Sequence, residues 1–452
     1  MLDPTSYYGG IVASDMKLSR REAKKAQERL EKSKAYSHGI LVRTLYQPKI
    51  FTSEHERFLR RAAETMYAIL EKVMREYECN DEYRRLFGFD KRLEELILRP
   101  KAYECPLPVA RIDLFFDEDD YSFKFCEFNA DGASAMNEDK ELFAVISQTA
   151  AFKRFAERYE IKSAELFDSW AECFLDIYKT SENAKETPKE TPNVAIVDFL
   201  HGEKHNNEFE AFKKAFEDAG CKCEICDITK LDYKNGALYS RSGMRIDAVY
   251  RRAVTCDIME NYGEVGAFLD AARENAVILI GDFRTQIIHN KILFKILHDD
   301  MTKRFLTTYE NGFVEAHIPF TVSLTEENVD KYEVLSHKEK WVIKPEDSYA
   351  SRGVAAGVEG MSDKQWRKAV RAALEEKYIL QEYVKPYASP NIDLLRNEKA
   401  EFQKYSNITG MFMYGGRLAG LYSRISGTEI ISTQYSEMTL PTIVVSEKTN
   451  RD

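Results

Sequence analysis

Residues 109–131 read VARIDLFFDEDDYSFKFCEFNAD, and the prediction of the fold starts from this stretch. Apolar and polar residues alternate on both sides of the acidic turn DEDD, which is typical of a β-hairpin. Arg111 and Asp113 are two residues apart on the first strand and share a face, as do Glu127 and Asn129 on the second. If the two strands pair across the turn, these four polar side chains converge.

These residue types indicate phosphate chemistry. Two carboxylates and an amide oxygen are hard ligands of the kind that Mg²⁺ prefers. An adjacent arginine supplies a cation for charge that develops on a transferred phosphoryl group. The alternative is the solvated polar face of an ordinary hairpin, and the spacing alone leaves both interpretations open.

The sequence around the hairpin predicts helices and a linker. Residues 52–78 have an apolar helical stripe, with Ser53 and Glu56 at capping-box spacing. A helical region is expected from about Lys140 to Lys179. The segment NAKETPKETP that follows has two prolines and no apolar run, which predicts an inter-lobe linker.

After the linker the pattern changes to alternating strands and helices. A short apolar run at 194–199, a helix over 208–220 and the strands CKCEICDI and IDAVYRR predict a Rossmann-like βαβ lobe with a parallel sheet. The chain from Asp270 to Leu306 reads as mainly helical. The last third alternates strands with one helix near 362–377. The fold class is therefore mixed α/β.

Arg-x-Asp followed by Glu-x-Asn-x-Asp resembles the synthetase domain of glutathionylspermidine synthases. These proteins are ATP-grasp carboxylate–amine ligases whose chain order is circularly permuted. The resemblance implies that Asp113, Glu127 and Asn129 hold magnesium ions, two in number, and that Arg111 faces a reacting acyl phosphate. The run Asn-Ala-Asp also matches, but it continues here as Gly132-Ala133-Ser134, which departs from the family.

Downstream motifs follow in the order that the permuted family requires. Asn290-Lys291 opens the helix NKILFKIL and resembles the family's Asn-Lys before a helix. WVIKP resembles the strand that carries the second lysine, DSYASRG occupies the lid position, and ILQEYV resembles the adenine hinge. The lid lacks the family's usual Gly-Arg-x-Gly.

The resemblance covers about 100–135 and 285–435. It implies ATP contacts from Lys291, Lys344, Ser351, Arg352, Gly353, Gln381, Glu382, Val384 and Arg424. The substrate contacts proposed from the sequence are Asp131, Ser134, Arg251 and Arg252.

The resemblance implies three units: a helical region with the metal hairpin over 1–182, a Rossmann-like substrate lobe over 193–285, and a nucleotide lobe over 286–452. The implied activity is an ATP-dependent ligase that forms an amide or peptide bond through an acyl phosphate. Its partners would be a small carboxylate and an amine of the amino acid, peptide or polyamine class. A non-catalytic nucleotide sensor or scaffold and an ATP-grasp kinase remain as alternatives.

Three other motifs are weighed against this interpretation. His201 and His205 are four residues apart but follow a strand in a loop, so a zinc site is disfavoured. The Cys221-x-Cys223-x-x-Cys226 run alternates as a packed strand does, and apolar packing is favoured over a metal or redox role. The two arginines at 251 and 252 end a strand of the βαβ lobe, where a structural ion pair competes with carboxylate binding.

Composition limits the partners. The chain has 452 residues, 44% of them hydrophobic, and a formal net charge of −10. An acidic chain has no general attraction for nucleic acid or anionic membrane, and no window is long and apolar enough to span a bilayer. The start of the sequence does not read as a cleaved leader. Eight scattered cysteines suit reduced thiols in the cytoplasm. A homodimer is left open.

Overall fold

The computed structural model describes residues 3–37, 39–181, 191–200, 207–348, 351–358, 360–396, 399, 401–431 and 437–448. Within these ranges the chain is mixed α/β with several sheets. No helix in them is long and apolar enough to cross a membrane. The helices are Pro4–Ser14, Met16–Leu30, Ser53–Cys79, Asp81–Arg84, Lys91–Ile97, Met136–Ile146, Ala150–Ala156, Asp168–Thr180, Asn207–Asp218, Thr255–Glu260, Gly266–Arg273, Gln286–His289, Leu293–Ile296, Asp300–Phe305, Thr308–His317, Glu326–Lys331 and Asp363–Ala373.

The strands are numbered in chain order. They are β1 Tyr36–Ser37, β2 Ile40–Leu41, β3 Lys49–Thr52, β4 Val109–Phe116, β5 Phe123–Asn129, β6 Tyr159–Ser163, β7 Asn193–Asp198, β8 Lys222–Asp227, β9 Asp232–Lys234, β10 Ala237–Tyr239, β11 Arg245–Ile246, β12 Ala248–Arg251, β13 Ile278–Ile280, β14 Thr321–Ser323, β15 Trp341–Pro345, β16 Ala355–Ala356, β17 Tyr378–Glu382, β18 Ala388–Asn391, β19 Gln403–Tyr414, β20 Arg417–Ser426, β21 Met438–Leu440 and β22 Thr442–Glu447.

The largest sheet contains the predicted hairpin, which is confirmed as the antiparallel pair β4–β5. Its order is β21-β20-β19-β4-β5, with β18 beside β19. β19 pairs with β4 through apolar residues such as Met411 and Phe412, which are fully buried. Strands from the first and last thirds of the chain therefore share one sheet.

Two further sheets are formed by strands that lie between β5 and β18 in the sequence. β13, β12, β7 and β8 form a parallel sheet in that order, so the predicted parallel strand pairing is present. β7, β12 and β13 are buried on both faces, which explains their continuous apolar runs, whereas the edge strand β8 alternates between buried and partly exposed residues. β14, β17, β15 and β16 form an antiparallel sheet in that order, and this sheet carries the predicted strand lysine and the predicted hinge. The remaining sheets are β3-β22-β6, β11-β10-β9 and β1-β2.

The long helix predicted over 52–78 runs from Ser53 to Cys79, and its stripe is buried at positions such as Met66, Ile69 and Val73. The predicted cap at Ser53 is wrong by one residue. Thr52 is still extended at the end of β3, and its hydroxyl accepts a hydrogen bond from the His55 amide at 3.2 Å. The His55 ring nitrogen accepts from the Thr52 amide in return, so histidine replaces the expected glutamate.

Two other predictions need comment. The helical region expected over 140–179 is interrupted by β6, a short strand that pairs antiparallel with β22 near the other end of the chain. Cys221, Cys223 and Cys226 are buried free thiols in the apolar clusters, as expected for packing. His201 and His205, and most of the predicted linker, lie outside the described residues.

Candidate active site

Three adjacent strands bring the predicted polar residues together. β4 and β5 pair with Asp113 opposite Glu127 and Arg111 opposite Asn129. β19 lies on the other side of β4 and places Gly410 opposite Asp113. A Cβ atom at Gly410 would lie 2.9 Å from both Arg111 Cδ and Asp113 Oδ1, which is closer than real contacts allow. The glycine therefore leaves the space that these two side chains occupy.

The buried Asp113 carboxylate holds two arginines. Arg111 donates Nε to Oδ1 at 2.8 Å and Nη2 to Oδ2 at 3.0 Å, a bidentate pair. Arg424 from β20 donates Nη2 to Oδ2 at 2.8 Å. Asn129 donates Nδ2 to the same oxygen at 3.1 Å. The carboxylate thus fixes two cations at the centre of the sheet face.

This arrangement tests the predicted magnesium site. A carboxylate offers about four lone-pair sites, and four hydrogen bonds from protein groups already reach Asp113. Asn129 turns its amide hydrogens, not its oxygen, toward that carboxylate. Among the described residues there is no group of three or more His, Cys, Asp or Glu side chains suited to a metal ion. The three predicted ligands are neighbours, and guanidinium groups engage Asp113 in this arrangement; the assignment of Mg²⁺ to Asp113, Glu127 and Asn129 stays a prediction.

Glu127 is the second carboxylate of the site. Lys291 Nζ lies 3.2 Å from its Oε1. Burial alone would raise the pKa of Glu127, but Lys291, Arg424, Lys344 and Arg111 together outweigh it and lower the pKa to about 2. The four cations expected to meet phosphate or acyl phosphate therefore all act on one carboxylate.

Lys344 reaches the site from β15. Its ammonium group donates to Gln381 Oε1 at 2.7 Å and to the Cys126 carbonyl at 3.3 Å. Gln381, which is buried on the neighbouring strand β17, donates its Nε2 to Thr321 Oγ1 at 2.9 Å. Burial lowers the pKa of Lys344, although Cys126 and Glu127 partly offset this. Gln381 thus orients the lysine.

The predicted adenine hinge follows Gln381 at the end of β17. The Glu382 amide donates to the Phe320 carbonyl at 2.8 Å, and the Glu382 carboxylate accepts weakly from the Phe320 amide at 3.4 Å. Val384 is half-buried two residues later, and the Tyr383 hydroxyl reaches the Glu429 carbonyl at 3.5 Å. The hinge residues are therefore held by their own neighbours, with the Glu382 side chain exposed.

Of the predicted lid over 347–353, the structure describes residues 347–348 and 351–353. Ser351 and Gly353 have positive φ values of 55° and 73°. A Cβ atom at Gly353 would lie 2.6 Å from the Tyr378 hydroxyl and 2.7 Å from Pro345 Cγ, so glycine is needed there on two grounds. Arg352 between them is exposed. The tight turn brings the lid back over the end of β15.

No protein-family model matches the sequence, and no curated protein does. The structure is similar to the apo form of GSS30, a glutathione-synthetase-like effector from Globodera pallida, with a TM-score of 0.62 and 12% identity over 98% of each chain. A putative γ-glutamylcysteine synthetase from Methylobacillus flagellatus matches 84% of this chain and 87% of its own, at a TM-score of 0.43 and 11% identity. The second likeness is too distant to carry an argument.

At 12% identity the similarity to GSS30 shows a shared fold and nothing finer. The resemblance to glutathionylspermidine synthases in particular is not confirmed.

Asp131 and Arg251, two predicted substrate residues, are paired with each other in the interior. Asp131 Oδ2 accepts from the Thr255 amide at 2.5 Å. Arg251 donates to the carbonyls of Gly281, Ala253 and Asp282 and to the hydroxyls of two threonines. The structural ion pair left open by the sequence is thus present, and the guanidinium is used by protein groups.

Arg252 directly follows β12, and Ser134 lies between β5 and the helix Met136–Ile146. Arg252 pairs with Glu208 at 2.7 Å and donates to the Ala133 carbonyl and the Tyr250 hydroxyl. Ser134 is exposed, and its carbonyl accepts from Arg111 Nη1 at 2.7 Å. Arg252 is therefore structural here, whereas Ser134 borders the site through its backbone.

The sequence analysis missed buried acids next to the site. Glu208, on the helix Asn207–Asp218, accepts from the amides of residues 135–137 and so caps the helix Met136–Ile146. Within that helix, burial and the charge of Glu208 raise the pKa of Glu138 to about 7, and burial raises the pKa of Asp139 to about 7. Acidic residues are common in the first turn of a helix, where they interact favourably with the helix dipole. The sequence therefore did not distinguish Glu138 and Asp139 from ordinary exposed residues of a first turn.

Proposed function

We propose that the protein is an ATP-dependent carboxylate–amine ligase that forms an amide bond through an acyl phosphate. The observation that carries this proposal is the convergence of Arg111, Arg424, Lys291 and Lys344 on Glu127. Four cations face three carboxylates there, Asp113, Glu127 and the Glu437 that pairs with Arg424 at 3.3 Å, which leaves an excess of one positive charge before any ligand is counted. Such an excess suits a polyphosphate, because each anionic oxygen gains a charge-assisted hydrogen bond. The fold that the chain shares with GSS30, a glutathione-synthetase-like effector, supports the same interpretation.

In the proposed reaction a substrate carboxylate oxygen attacks the γ-phosphorus of ATP, the bond to the β-phosphate oxygen breaks, and ADP leaves. Lys291 and Lys344 would neutralise the phosphates, and Arg111 would hold the acyl phosphate. An amine nitrogen then attacks the acyl carbon, a C–N bond forms, phosphate leaves, and the nitrogen loses a proton. Closure of the lid at 351–353 would keep water from the acyl phosphate.

Residue roles beyond the cations also remain proposals. Gln381, Glu382 and Val384 would hold the nucleotide base and ribose, and Ser351, Arg352 and Gly353 would cover the phosphates. The circularly permuted order, the Rossmann-like substrate lobe over 193–285 and the nucleotide lobe over 286–452 belong to the same proposal. The parallel sheet of β13, β12, β7 and β8 supports the proposal of a Rossmann-like lobe. We assign no step to magnesium, because Arg111, Arg424 and Asn129 together donate four hydrogen bonds to Asp113.

Calorimetry with ATP tests the first step. Wild-type protein should bind ATP, and Lys344→Met should weaken binding by about tenfold or more, since a charge-assisted hydrogen bond is lost. Lys340→Met is the matched control, because that side chain is exposed just before the same strand. ADP release would then be screened against amino acids, short peptides and polyamines. Absence of ATP binding by the wild-type protein would refute the proposal.

A non-catalytic nucleotide binder is the second candidate. The pairing of Asp113 with Arg111 and Arg424 favours it, because these hydrogen bonds engage the carboxylate oxygens that the ligase interpretation assigns to a metal. Such a protein should bind ATP but release no ADP with any substrate in the screen. A kinase on the same fold would release ADP with the carboxylate alone, and would not need an amine to form its product.

A further inference from the structure

Three polar side chains lie on one face of the sheet that carries the predicted strand lysine. Thr321 on β14 is directly opposite Gln381 on β17, and Lys344 on β15 is opposite Ile379, two residues before Gln381. Side chains two residues apart on a strand share a face, and diagonal neighbours are within reach of long side chains. Thr321 is 3% exposed and Gln381 is 2% exposed. The register therefore places Thr321, Gln381 and Lys344 in one row across the sheet.

The hydrogen bonds along this row all run in one direction. The Lys344 ammonium can only donate, and it donates to Gln381 Oε1 at 2.7 Å. That contact fixes the amide, so Gln381 turns Nε2 toward Thr321 and donates to its Oγ1 at 2.9 Å. The threonine hydroxyl has a single hydrogen, which it donates to the Pro319 carbonyl at 2.9 Å. The hydroxyl oxygen is thus committed to accepting from the glutamine.

Reversing any one of these bonds would break the row. If Thr321 offered its hydrogen to Gln381, the glutamine would present its NH2 group to the lysine, and two donors would face each other. If the hydroxyl were absent, the buried Nε2 of Gln381 would lose the acceptor described for it. Buried polar groups without partners are costly, so the glutamine would move or flip to find another acceptor. Either change withdraws Oε1 from the lysine.

Lys344 depends on Gln381 for one of its two described acceptors. The other is the Cys126 carbonyl on β5, at 3.3 Å. An ammonium group has three donors, and these contacts use two of them. β5 belongs to the largest sheet, so the lysine connects that sheet with the one that contains β15. Since the bond to Gln381 is the shorter of the two, it contributes most to fixing the ammonium beside Glu127.

We infer that Thr321 is a positioning residue, which holds Gln381 in the orientation that fixes the Lys344 ammonium and does not touch a ligand itself. The side-chain amide of Gln381 is engaged at both ends by protein groups. Its side chain therefore contributes to nucleotide binding by way of the lysine. The effect on ATP rests on the proposed function, whereas the effect on Lys344 does not.

Acetylation of Lys344 measures its position without any ligand. Acetic anhydride reacts only with an unprotonated amine, so an ammonium held by acceptors reacts slowly, and mass spectrometry gives the rate at each lysine. Thr321→Val keeps the branched shape of the side chain and removes the hydroxyl. We expect it to raise the acetylation rate of Lys344 about threefold or more, since the hydrogen bond that favours the charged form is weakened. Thr321→Ser retains the hydroxyl and should restore the wild-type rate.

Ser323→Ala is the matched control. Ser323 lies two residues beyond Thr321 on β14, and its hydroxyl accepts from Lys295 at 3.0 Å. This variant removes a hydroxyl from the same face of the same strand but leaves the acceptor of Gln381 in place. The acetylation rate of Lys344 should therefore not change.

Gln381→Leu tests whether the threonine acts through the glutamine. It should raise the acetylation rate of Lys344 at least as much as Thr321→Val does, and adding Thr321→Val to it should change nothing further. Calorimetry with ATP should follow the same order, with Thr321→Val weakening binding about three- to tenfold. A threonine that only stabilises the sheet would lower the thermal stability and leave the acetylation rate of Lys344 unchanged in the folded protein.

The double variant also keeps the test decisive if Thr321→Val alone does not fold. It replaces both buried partners with apolar side chains, which favours folding, and its comparison with Gln381→Leu then gives the answer. An unchanged acetylation rate in folded Thr321→Val, or effects of Thr321→Val and Gln381→Leu that multiply, would overturn the inference.

These outcomes are distinguishable from failure of the proposed function. If the wild-type protein binds no ATP, the proposed function fails, and the acetylation rates still decide the role of Thr321. If ATP binds while Thr321→Val leaves the acetylation of Lys344 unchanged, the nucleotide site stands and Thr321 is not a positioning residue.

Discussion

Asp113→Asn separates two roles for the residue at the centre of the site. In the structure Asp113 neutralises Arg111 and Arg424, and it is fully buried. As a magnesium ligand, it would instead contribute mainly when metal is present. The substitution keeps the shape of the side chain and removes its charge, so the two roles predict different results.

The expected size follows from the contacts. Arg424 retains Glu437 as a second counterion, at 3.3 Å, but the only other hydrogen bond described for Arg111 is to the Ser134 carbonyl. Removing one partner of a buried ion pair typically costs about 3–5 kcal/mol, because the other charge stays buried. Since asparagine still offers one acceptor, we expect a loss near 3 kcal/mol in the free energy of unfolding.

Urea unfolding measures this loss, with Asp120→Asn as the control, because Asp120 is an exposed acid in the turn of the same hairpin. Removing a negative charge also leaves the four cations less neutralised. Where Asp113→Asn is still folded, its ATP affinity without Mg²⁺ should therefore equal or exceed that of the wild type.

The opposite pattern would refute this reasoning. If Asp113→Asn unfolds like the control, and loses ATP affinity only when Mg²⁺ is added, Asp113 is a metal ligand and the arginines do not depend on it.

Three further predictions concern stability. Asp139 holds its proton in the folded state up to a pKa of about 7 against 3.8 normally, so stability falls as pH rises between these values. Asp139→Asn, which keeps an acceptor for the Thr442 amide, should be more stable by up to about 4 kcal/mol near neutral pH, and the gain should vanish in acid; equal stability at both pH values would contradict this. Gly410→Ala should cost about 1–3 kcal/mol in urea unfolding through overpacking, and a neutral result would show that the strands can separate. The pKa of Glu127 is lowered to about 2, so its stabilising pairing with Lys291 is present above 4.5 and lost as pH falls toward 2. Glu127→Gln should therefore flatten the acid-unfolding curve, and an unchanged curve would place the acid sensitivity elsewhere.

Local patterns in the sequence predicted much of the fold. The hairpin β4–β5 has alternating residues and an acidic turn, and the buried parallel strands have continuous apolar runs, so both could be recognised from short windows. β6 could not be recognised in this way. Its five residues form a strand because they pair with β22, which lies far away in the sequence. The cap at Thr52 was missed because histidine performs the role of glutamate there.

The site was predicted as a set of residues but not as a set of contacts. Register places Asp113, Glu127 and Arg111 together, and period-two spacing is enough to show it. Which cation lies against which carboxylate depends on Arg424, contributed by a strand that spacing cannot place.

The pairing of β4 with β19 sets the order in which the chain can assemble. Arg424 lies 311 residues beyond Asp113, and at about 5–20 residues per second a ribosome needs roughly 15–60 s to make that span. During this interval the inner edge of β4 has no partner strand, and Asp113 lacks one of its two arginines. An open apolar strand edge invites pairing with other chains. The nascent protein therefore depends on shielding of residues 109–116 until its last quarter has been synthesised.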